Sequence, residues 1–397
     1  MEHSHVEKKD PRKRHRLIWK LLYPVMRIIA WICLGYWATP SRTEGPFLLV
    51  SNHVTDWDPI LVGCSFRTQQ FYFVTSEHLL RNKLFGRFLI WAQDPIPRQK
   101  GGNAAGTVLA VMRRLRSGDS VAIFPEGNRT WDGVTRPMLP SIGKLARASG
   151  VKLVTYRMEG GYFTSPRWAG GAIHRGKMRG RVVKVYSPET LKAMTPEEIN
   201  EVIRRDLYED AYARQRKEPI VYRSYRRAEH IERLLFLCPK CGEMHTLQSK
   251  GDTVRCRKCG LAFRYLPTGF LAGNGLPFDN LRDLNRLQDE QIARLCETAD
   301  PARPIFSDSD MRTDQVDFSR GTKPIGRGEL KLYRDRLELP GVTVPLTELT
   351  GMSLVGPQDL YVGSGEHSYL VRSDHIRCLV KYLTACSCLN PETTYGV

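Results

Sequence analysis

The sequence has no run of about 18 uncharged apolar residues, which excludes a bundle of transmembrane helices. It has few acidic residues: 42 Asp and Glu stand against 60 Lys and Arg, and the formal net charge is +18. Such a surplus favours a polyanionic partner, namely nucleic acid, an anionic membrane surface or a phosphorylated substrate. Internal repeats and low-complexity tracts are also missing, and a hydrophobic content of 41% excludes a disordered or collagen-like chain. A length of 397 residues predicts two or three domains.

The N-terminal segment is basic and then apolar. It resembles a signal peptide, but Lys20, Pro24 and Arg27 interrupt the apolar part and no small-residue cleavage site follows. On a helix, Lys13, Lys20 and Arg27 share one stripe, and aromatic and aliphatic side chains take the other faces. This pattern is typical of a helix among lipid headgroups. We therefore predict that residues 1–40 contact an anionic membrane surface; the alternative is an amphipathic helix docked on the protein's own core.

Four of the ten cysteines form two closely spaced pairs. Cys238-x-x-Cys241 and Cys256-x-x-Cys259 are separated by fourteen residues. Each pair presents two thiolates, and together they complete a closed tetrahedral Zn²⁺ site. The spacing predicts a zinc ribbon with structural Zn²⁺ and no catalytic metal. Replacement of one ligand by His245, or a redox-active dithiol, is the alternative.

The other six cysteines are scattered along the chain, mostly among apolar residues. Because no convincing secretory signal is present, we expect a reducing compartment in which these thiols are packing residues. Together with the basic N-terminal segment, this predicts a peripheral or monotopic protein on the cytoplasmic face of the cell membrane.

Short apolar runs alternate with helical segments between about residues 47 and 216. Such runs are typical of strands covered on both faces. The clearest helix start is Thr195-Pro-Glu-Glu, where a capping box is expected, and this helix is predicted to end near Arg216. The alternation predicts an α/β fold with a mixed, largely parallel sheet and flanking helices. The predicted strands are 47–50, 71–74, 121–124, 151–156 and 182–186.

The first predicted strand ends in a polar loop that contains His53 and, five positions later, Asp58. A histidine can accept a proton at cytoplasmic pH, and a carboxylate on its other ring nitrogen fixes the tautomer. No G-x-S-x-G motif or activated cysteine lies nearby, so the substrate is expected to supply the nucleophile. Asp56 is a competing orienting group, and a purely structural loop histidine is the alternative.

A second polar loop follows the predicted strand at 121–124 and contains Glu126, Gly127 and Arg129. In open α/β sheets ligands bind beyond the carboxyl ends of strands, where both loops are expected. Glycine allows close approach of a ligand, and the arginine fork matches a phosphate. Glu126 is expected either to accept hydrogen bonds from a polyol or to hold the loop.

The two loops together resemble those of the glycerolipid acyltransferase family, typified by 1-acylglycerol-3-phosphate acyltransferases. The pattern is Asn-His-x4-Asp at 52–58 followed by Phe-Pro-Glu-Gly-x-Arg at 124–129, and the resemblance covers about residues 20 to 215. Arg98 matches the family's arginine that contacts the acceptor phosphate, although Ala92 stands where the family usually has glycine. The departures leave the catalytic pair intact and concern the acceptor.

This resemblance implies a membrane-associated enzyme that moves an acyl group from acyl-CoA or acyl-carrier protein to a lysophospholipid, foremost 1-acylglycerol-3-phosphate, giving phosphatidic acid. It also implies that His53 is the general base and that Asp58 orients it. The implied acceptor-binding residues are Arg98 and Arg129 for the phosphate, and Glu126 and Gly127 for the glycerol.

Two other functions are compatible with parts of the sequence. The same chemistry could act on glycerol-3-phosphate or another lysophospholipid. A zinc-ribbon nucleic-acid-binding protein, whose positive charge follows phosphate backbones, belongs to a different class. That function leaves both loop patterns unexplained, so nucleic acid is not the expected partner.

The last 70 residues consist of short alternating runs and a closing helical segment. They predict a small antiparallel β domain with one helix, similar to pleckstrin-homology-like domains. The predicted division of the chain is a membrane-interface segment at 1–40, an acyltransferase domain at 41–218, a linker at 219–233, a zinc ribbon at 234–266, a helical connector and linker at 267–325 and the β domain at 326–390.

Overall fold

The structure of the protein is a computed structural model that describes residues 11–76, 80, 84–98, 105–317, 321–391 and 395–396. The helices are α1 Pro11–Leu34, α2 Asp58–Gly63, α3 Phe85–Gln93, α4 Ala105–Arg116, α5 Ser141–Ser149, α6 Gly161–Thr164, α7 Pro188–Ala193, α8 Pro196–Leu207, α9 Ala211–Lys217, α10 Leu281–Glu297 and α11 Val380–Leu389. The strands of the first sheet are β1 Tyr36–Ala38, β2 Phe47–Ser51, β3 Phe71–Ser76, β4 Ile96–Arg98, β5 Ser120–Ile123, β6 Lys152–Glu159 and β7 Met178–Tyr186.

The remaining strands belong to the zinc-ribbon and C-terminal sheets. They are β8 Leu247–Lys250, β9 Thr253–Cys256, β10 Ala262–Tyr265, β11 Leu271–Ala272, β12 Phe306–Asp317, β13 Gly321–Leu332, β14 Arg336–Leu339, β15 Val342–Pro345, β16 Leu349–Val355, β17 Asp359–Ser364, β18 His367–Ser373 and β19 Tyr395–Gly396.

The first sheet has the strand order β1-β7-β6-β2-β5-β3-β4. Neighbouring strands are parallel except for the antiparallel pair β6 and β7, so the predicted mixed, largely parallel sheet is confirmed. All five predicted strands are present. The central strand β2 is buried along its whole length, because Leu49 packs with α1 and α2 on one face while Leu48 and Val50 pack with α4, α5 and α8 on the other. The first polar loop follows the carboxyl end of β2, and the second follows the carboxyl end of β5.

The helix that starts after Thr195 has the predicted capping box. The Glu198 N–H donates to Thr195 Oγ1 at 3.2 Å, and the Thr195 N–H donates to a Glu198 carboxylate oxygen at 2.7 Å. The prediction that it reaches about Arg216 is wrong: α8 ends at Leu207, and α9 begins separately at Ala211. At the break the Glu209 N–H donates to the Thr135 hydroxyl at 2.8 Å instead of continuing the helix.

Helix α1 buries Trp19, Ala30 and Leu34 against the protein and leaves a row of apolar side chains exposed. Trp19 is buried and donates to the Phe66 carbonyl at 3.1 Å, and Arg27 donates to the Cys64 carbonyl at 2.9 Å. Arg27 of the predicted cationic stripe is half-buried and contacts the residue that follows α2, whereas Lys20 is exposed. By length and composition α1 could also cross a membrane, a test that signal sequences and core helices pass as well. The outward-facing apolar residues include Leu17, Leu21, Val25, Ile28, Trp31 and Ile32.

The C-terminal half consists of a four-stranded sheet, β8 to β11, and an eight-stranded sheet, β12 to β19, that is antiparallel except where β16 meets β19. The predicted antiparallel β region with a closing helix is confirmed, but its first strand, Phe306–Asp317, lies in the segment predicted as a helical connector and linker. The predicted domain boundaries stay predictions. Residues 219–233, predicted as a linker, contribute buried side chains to the hydrophobic core. Tyr222, Ala228 and Ile231 are buried in one hydrophobic cluster that also includes Trp131 and Leu354. Composition alone does not indicate these core residues, because the stretch is rich in basic residues.

Candidate functional site

The loop after β2 brings His53 and Asp58 together. His53 Nδ1 lies 2.7 Å from Asp58 Oδ2, and Asp58 is fully buried whereas 21% of the His53 side chain is exposed. The imidazole stacks on the Phe124 ring, with 4.6 Å between the ring centroids. Because Nδ1 faces the carboxylate, Nε2 on the other side of the ring is the nitrogen that can accept a proton.

The Asp58 carboxylate is fixed by donors from its own loop. It accepts hydrogen bonds from the Val54 N–H at 2.7 Å, the Thr55 N–H at 2.9 Å and the Thr55 hydroxyl at 2.6 Å. The competing residue, Asp56, instead forms an ion pair with Arg129. Thr55 is a further residue of this site, and its only signal in the sequence is a hydroxyl three residues before an aspartate.

Glu126 connects the two polar loops through the backbone. Its Oε1 accepts the N–H of His53 and its Oε2 accepts the N–H of Arg136, each at 2.6 Å. Burial raises the pKa of Glu126 to about 8. Both carboxylate oxygens accept backbone N–H groups of the protein. These contacts match the expectation that Glu126 holds the loop rather than the expectation that it binds a polyol.

The raised pKa of Glu126 predicts a specific dependence of stability on pH. The folded state holds this proton more tightly than the unfolded chain does. The resulting stabilisation is therefore fully present below the ordinary glutamate pKa of about 4.3 and is lost as the pH rises through about 8. Glu126→Gln cannot titrate and is expected to lack this loss. The measurement is the free energy of unfolding in urea at several pH values for both proteins.

The control for this prediction is Glu197→Gln, because Glu197 is exposed at the start of α8. This variant is expected to follow the wild-type pH dependence. Glu126→Gln also loses one carboxylate acceptor, which changes the free energy of unfolding by an amount that does not depend on pH. A difference between wild type and Glu126→Gln that stays constant from pH 5 to about 8 would contradict the prediction.

The two predicted phosphate-binding arginines are held differently. The Arg129 Nε lies 3.1 Å from Asp56 Oδ1, and its Nη1 donates to the Ser165 carbonyl at 3.3 Å. Arg98 lies beside Gly127, whose φ is +72°, and a Cβ there would come within 3.2 Å of Arg98 Nη1. Gly127 thus makes room for the Arg98 guanidinium. Within the described ranges no hydrogen bond or ion pair of the Arg98 side chain is present.

The four cysteines of the two CxxC pairs form a compact cluster. All four sulfur atoms lie within 4.8 Å of one another, and the Cys238–Cys259 and Cys241–Cys256 sulfurs are 3.6 and 3.8 Å apart. A tetrahedral site with Zn–S bonds of about 2.3 Å requires sulfur separations of about 3.8 Å, so the donor set fits Zn²⁺. The alternative ligand His245 is engaged elsewhere, with its Nε2 3.0 Å from Lys381 Nζ.

Two segments of the chain match known protein families. Residues 37–159 match the family described as acyltransferase, and this segment contains both polar loops and Arg98. The chain therefore contains an acyltransferase-family domain, and the family resemblance inferred from the two loops is confirmed. Residues 231–265 match a zinc-ribbon family described as DNA directed RNA polymerase, 7 kDa subunit, and this segment contains the four clustered cysteines.

Two individual proteins are similar to parts of the chain. The 1-acyl-sn-glycerol-3-phosphate acyltransferase of Streptococcus pneumoniae (strain ATCC BAA-255 / R6) is 27% identical over 168 residues, which are 42% of this chain and 59% of that protein. The chain thus matches less than two thirds of that relative's length. The solved 1-acyl-sn-glycerophosphate (LPA) acyltransferase PlsC of Thermotoga maritima is 19% identical with a TM-score of 0.41, over 51% of this chain and 83% of that one.

Proposed function

We propose that this protein transfers a fatty acyl group from acyl-CoA or acyl-carrier protein to the hydroxyl of a lysophospholipid, with 1-acylglycerol-3-phosphate as the acceptor. The observation that carries the proposal is the 2.7 Å contact between His53 Nδ1 and the buried Asp58 carboxylate inside an acyltransferase-family domain. Arg98, close to Gly127 and without a partner among the described residues, supplies the site for a phosphate.

In the proposed mechanism, His53 Nε2 takes the proton of the acceptor hydroxyl while the hydroxyl oxygen attacks the thioester carbonyl carbon. Asp58 stabilises the imidazolium that forms and keeps the ring oriented. When the tetrahedral intermediate collapses, the carbon–sulfur bond breaks and the donor thiolate leaves with the proton from His53. The oxyanion requires preorganised donors, each of which contributes about 3 kcal/mol.

The proposal is tested by offering labelled acyl-CoA and acyl-carrier protein with a panel of lysophospholipids and glycerol-3-phosphate. We expect the highest kcat/KM for 1-acylglycerol-3-phosphate. Preference for an acceptor without a phosphate monoester would contradict the proposed acceptor and the role of Arg98. Absence of transfer to every acceptor would contradict the proposed activity.

We also propose that the outward face of α1 holds the protein at the membrane surface, where the acceptor resides. The apolar side chains Leu21, Ile28 and Trp31 are at least half exposed, at 65%, 58% and 50%. Leaving these groups in water is costly, at about 25 cal/mol per Å² of apolar area. The exposed Lys13 and Lys20 each add about 1 kcal/mol near an anionic surface.

Replacing Leu21 and Ile28 together by glutamine is expected to weaken binding to vesicles of phosphatidylcholine and phosphatidylglycerol by about tenfold or more. Cosedimentation with the vesicles measures this change. Val221→Gln is the matched control, because Val221 is 54% exposed but lies far along the chain from α1. Equal binding by the double variant and the control would contradict membrane docking through α1.

A further inference from the structure

A buried arginine just beyond the matched acyltransferase segment joins two distant parts of the chain. Arg167 is 4% exposed and begins a 3₁₀ turn after α6. Its Nη1 donates to the Arg129 carbonyl at 3.1 Å, and its Nη2 donates to the Leu354 carbonyl at 3.0 Å. The guanidinium lies over the Trp131 ring, 4.4 Å from the centroid. One planar fork is therefore shared between two backbone carbonyls.

The two carbonyls belong to different functional parts of the protein. Arg129 lies in the second polar loop, and the next residue, Thr130, donates its N–H to the His53 carbonyl at 3.3 Å. Leu354 lies in β16 of the C-terminal sheet, 187 residues after Arg167. The bridge therefore connects the loop that contacts His53 to a domain outside the family match.

Burial of a guanidinium needs a reason, because desolvation opposes it. Burial lowers the pKa of Arg167 to about 9. Among the described residues no carboxylate forms an ion pair with it. Pairing its donors with the two carbonyls offsets part of this cost but does not by itself identify a role for the residue. A guanidinium that spans two carbonyls does, however, fix the distance between them.

Other polar contacts join the same two halves without involving Arg129. Arg233 donates to the Trp168 carbonyl at 3.2 Å and to the Gln358 side-chain oxygen at 3.0 Å. Arg282 on α10 forms an ion pair with Asp210 at 2.6 Å. Attachment of the C-terminal half therefore does not depend on Arg167 alone, whereas Arg167 is the residue that donates to the Arg129 carbonyl.

We propose that Arg167 is a positioning residue that fixes the second polar loop against the C-terminal sheet, so that binding of the acceptor depends on a domain outside the acyltransferase family segment. This inference rests on the proposed function. The Arg129 side chain is one of the two expected phosphate contacts, and its backbone is held by the bridge. Displacement of a substrate-positioning group by about 1 Å can lower the rate by about 100-fold.

The test compares three full-length variants, Arg167→Met, Arg167→Lys and Arg233→Met. Methionine preserves most of the side-chain volume and removes all donors. Lysine keeps the charge over Trp131 but has a single nitrogen, which cannot reproduce the planar fork. Arg233→Met removes a contact between the same two halves and is the matched control.

Two measurements are made on each variant. The first is the steady-state kinetics of acyl transfer to 1-acylglycerol-3-phosphate. The second is amide hydrogen exchange in residues 124–136 and 349–355, which does not require activity. For Arg167→Met we expect kcat/KM for the acceptor to fall by about 10- to 100-fold with an unchanged donor KM, and faster exchange in both segments. Arg167→Lys is expected to restore neither the wild-type kcat/KM nor the wild-type exchange fully. Arg233→Met is expected to leave the exchange of 124–136 unchanged.

Equal effects of Arg167→Met and Arg233→Met on 124–136 would overturn the inference, as would complete restoration by lysine. If Arg167→Met fails to fold, the exchange of Arg167→Lys decides: faster exchange in both segments supports the bridge, and wild-type exchange overturns it. If the wild type transfers no acyl group to any acceptor, the proposed function fails, and the exchange measurements still decide whether the bridge holds the loop.

Discussion

His53→Ala is expected to lower kcat for acyl transfer by about a thousandfold, with little change in melting temperature. The imidazole is the only base that the proposed mechanism uses, and Nε2 is the nitrogen turned away from Asp58. Its loss leaves the acceptor hydroxyl without a group to take its proton. The side chain is partly exposed and contributes mainly a ring contact with Phe124, so the fold should tolerate its removal.

His53→Ala is a cleaner test than a substitution of Asp58. The Asp58 carboxylate is buried and accepts hydrogen bonds from Val54 and Thr55, so Asp58→Asn would place amide hydrogens against these donors and destabilise the loop as well. The control is His367→Ala, because His367 is exposed on the C-terminal sheet. Turnover of His53→Ala within about tenfold of the wild type would contradict the assignment of His53 as the general base.

The parts of the fold that could be predicted are those specified by neighbouring residues. Continuous apolar runs marked β2, β3, β5, β6 and β7, because a strand covered on both faces needs few polar side chains. The capping box at Thr195 is also local and was predicted correctly. His53 and Asp58 lie only five residues apart, so their contact requires no knowledge of the tertiary fold.

The parts that could not be predicted depend on residues far apart in the sequence. Glu126 meets the His53 backbone across 73 positions, and Arg27 reaches the Cys64 carbonyl across 37. Periodicity places Arg27 on the same stripe as the lysines, but a carbonyl at the end of α2 turns its side chain inward. The Arg167 bridge spans 187 positions, and neither of its acceptors is a side chain, so no residue type in the sequence marks it.

The hydrophobic core explains why an appended module should influence the acyltransferase domain. Val254 and Phe263 of the zinc ribbon belong to the same buried cluster as Trp131 and Trp168, which flank the second polar loop and the Arg167 turn. Loss of order in the ribbon would therefore expose part of the packing that supports this loop. Close-packed protein cores transmit such changes, because side chains cannot rearrange independently.

Removal of zinc is accordingly expected to destabilise the whole chain rather than the ribbon alone. We propose that Cys238, Cys241, Cys256 and Cys259 hold one structural Zn²⁺. Binding to the folded state only, at a free concentration about 1,000 times Kd, contributes about 4.1 kcal/mol to the free energy of unfolding. Cys256→Ser, or a chelator, is expected to remove a contribution of this size. Cys388→Ser is the control, because Cys388 is exposed and outside the cluster.

Metal content and thermal unfolding together separate this prediction from a redox role of the CxxC pairs. Reduced wild-type protein should contain one equivalent of zinc, and its melting temperature should fall on chelation and recover when zinc is returned. A redox dithiol would instead give less than one equivalent and a melting temperature that responds to oxidants but not to chelators. Because Val254 and Phe263 share their core with Trp131, the zinc-free protein should also lose acyl transfer, although no step of the reaction passes through the metal. Full activity in zinc-free protein would show that the ribbon and the acyltransferase domain are energetically independent.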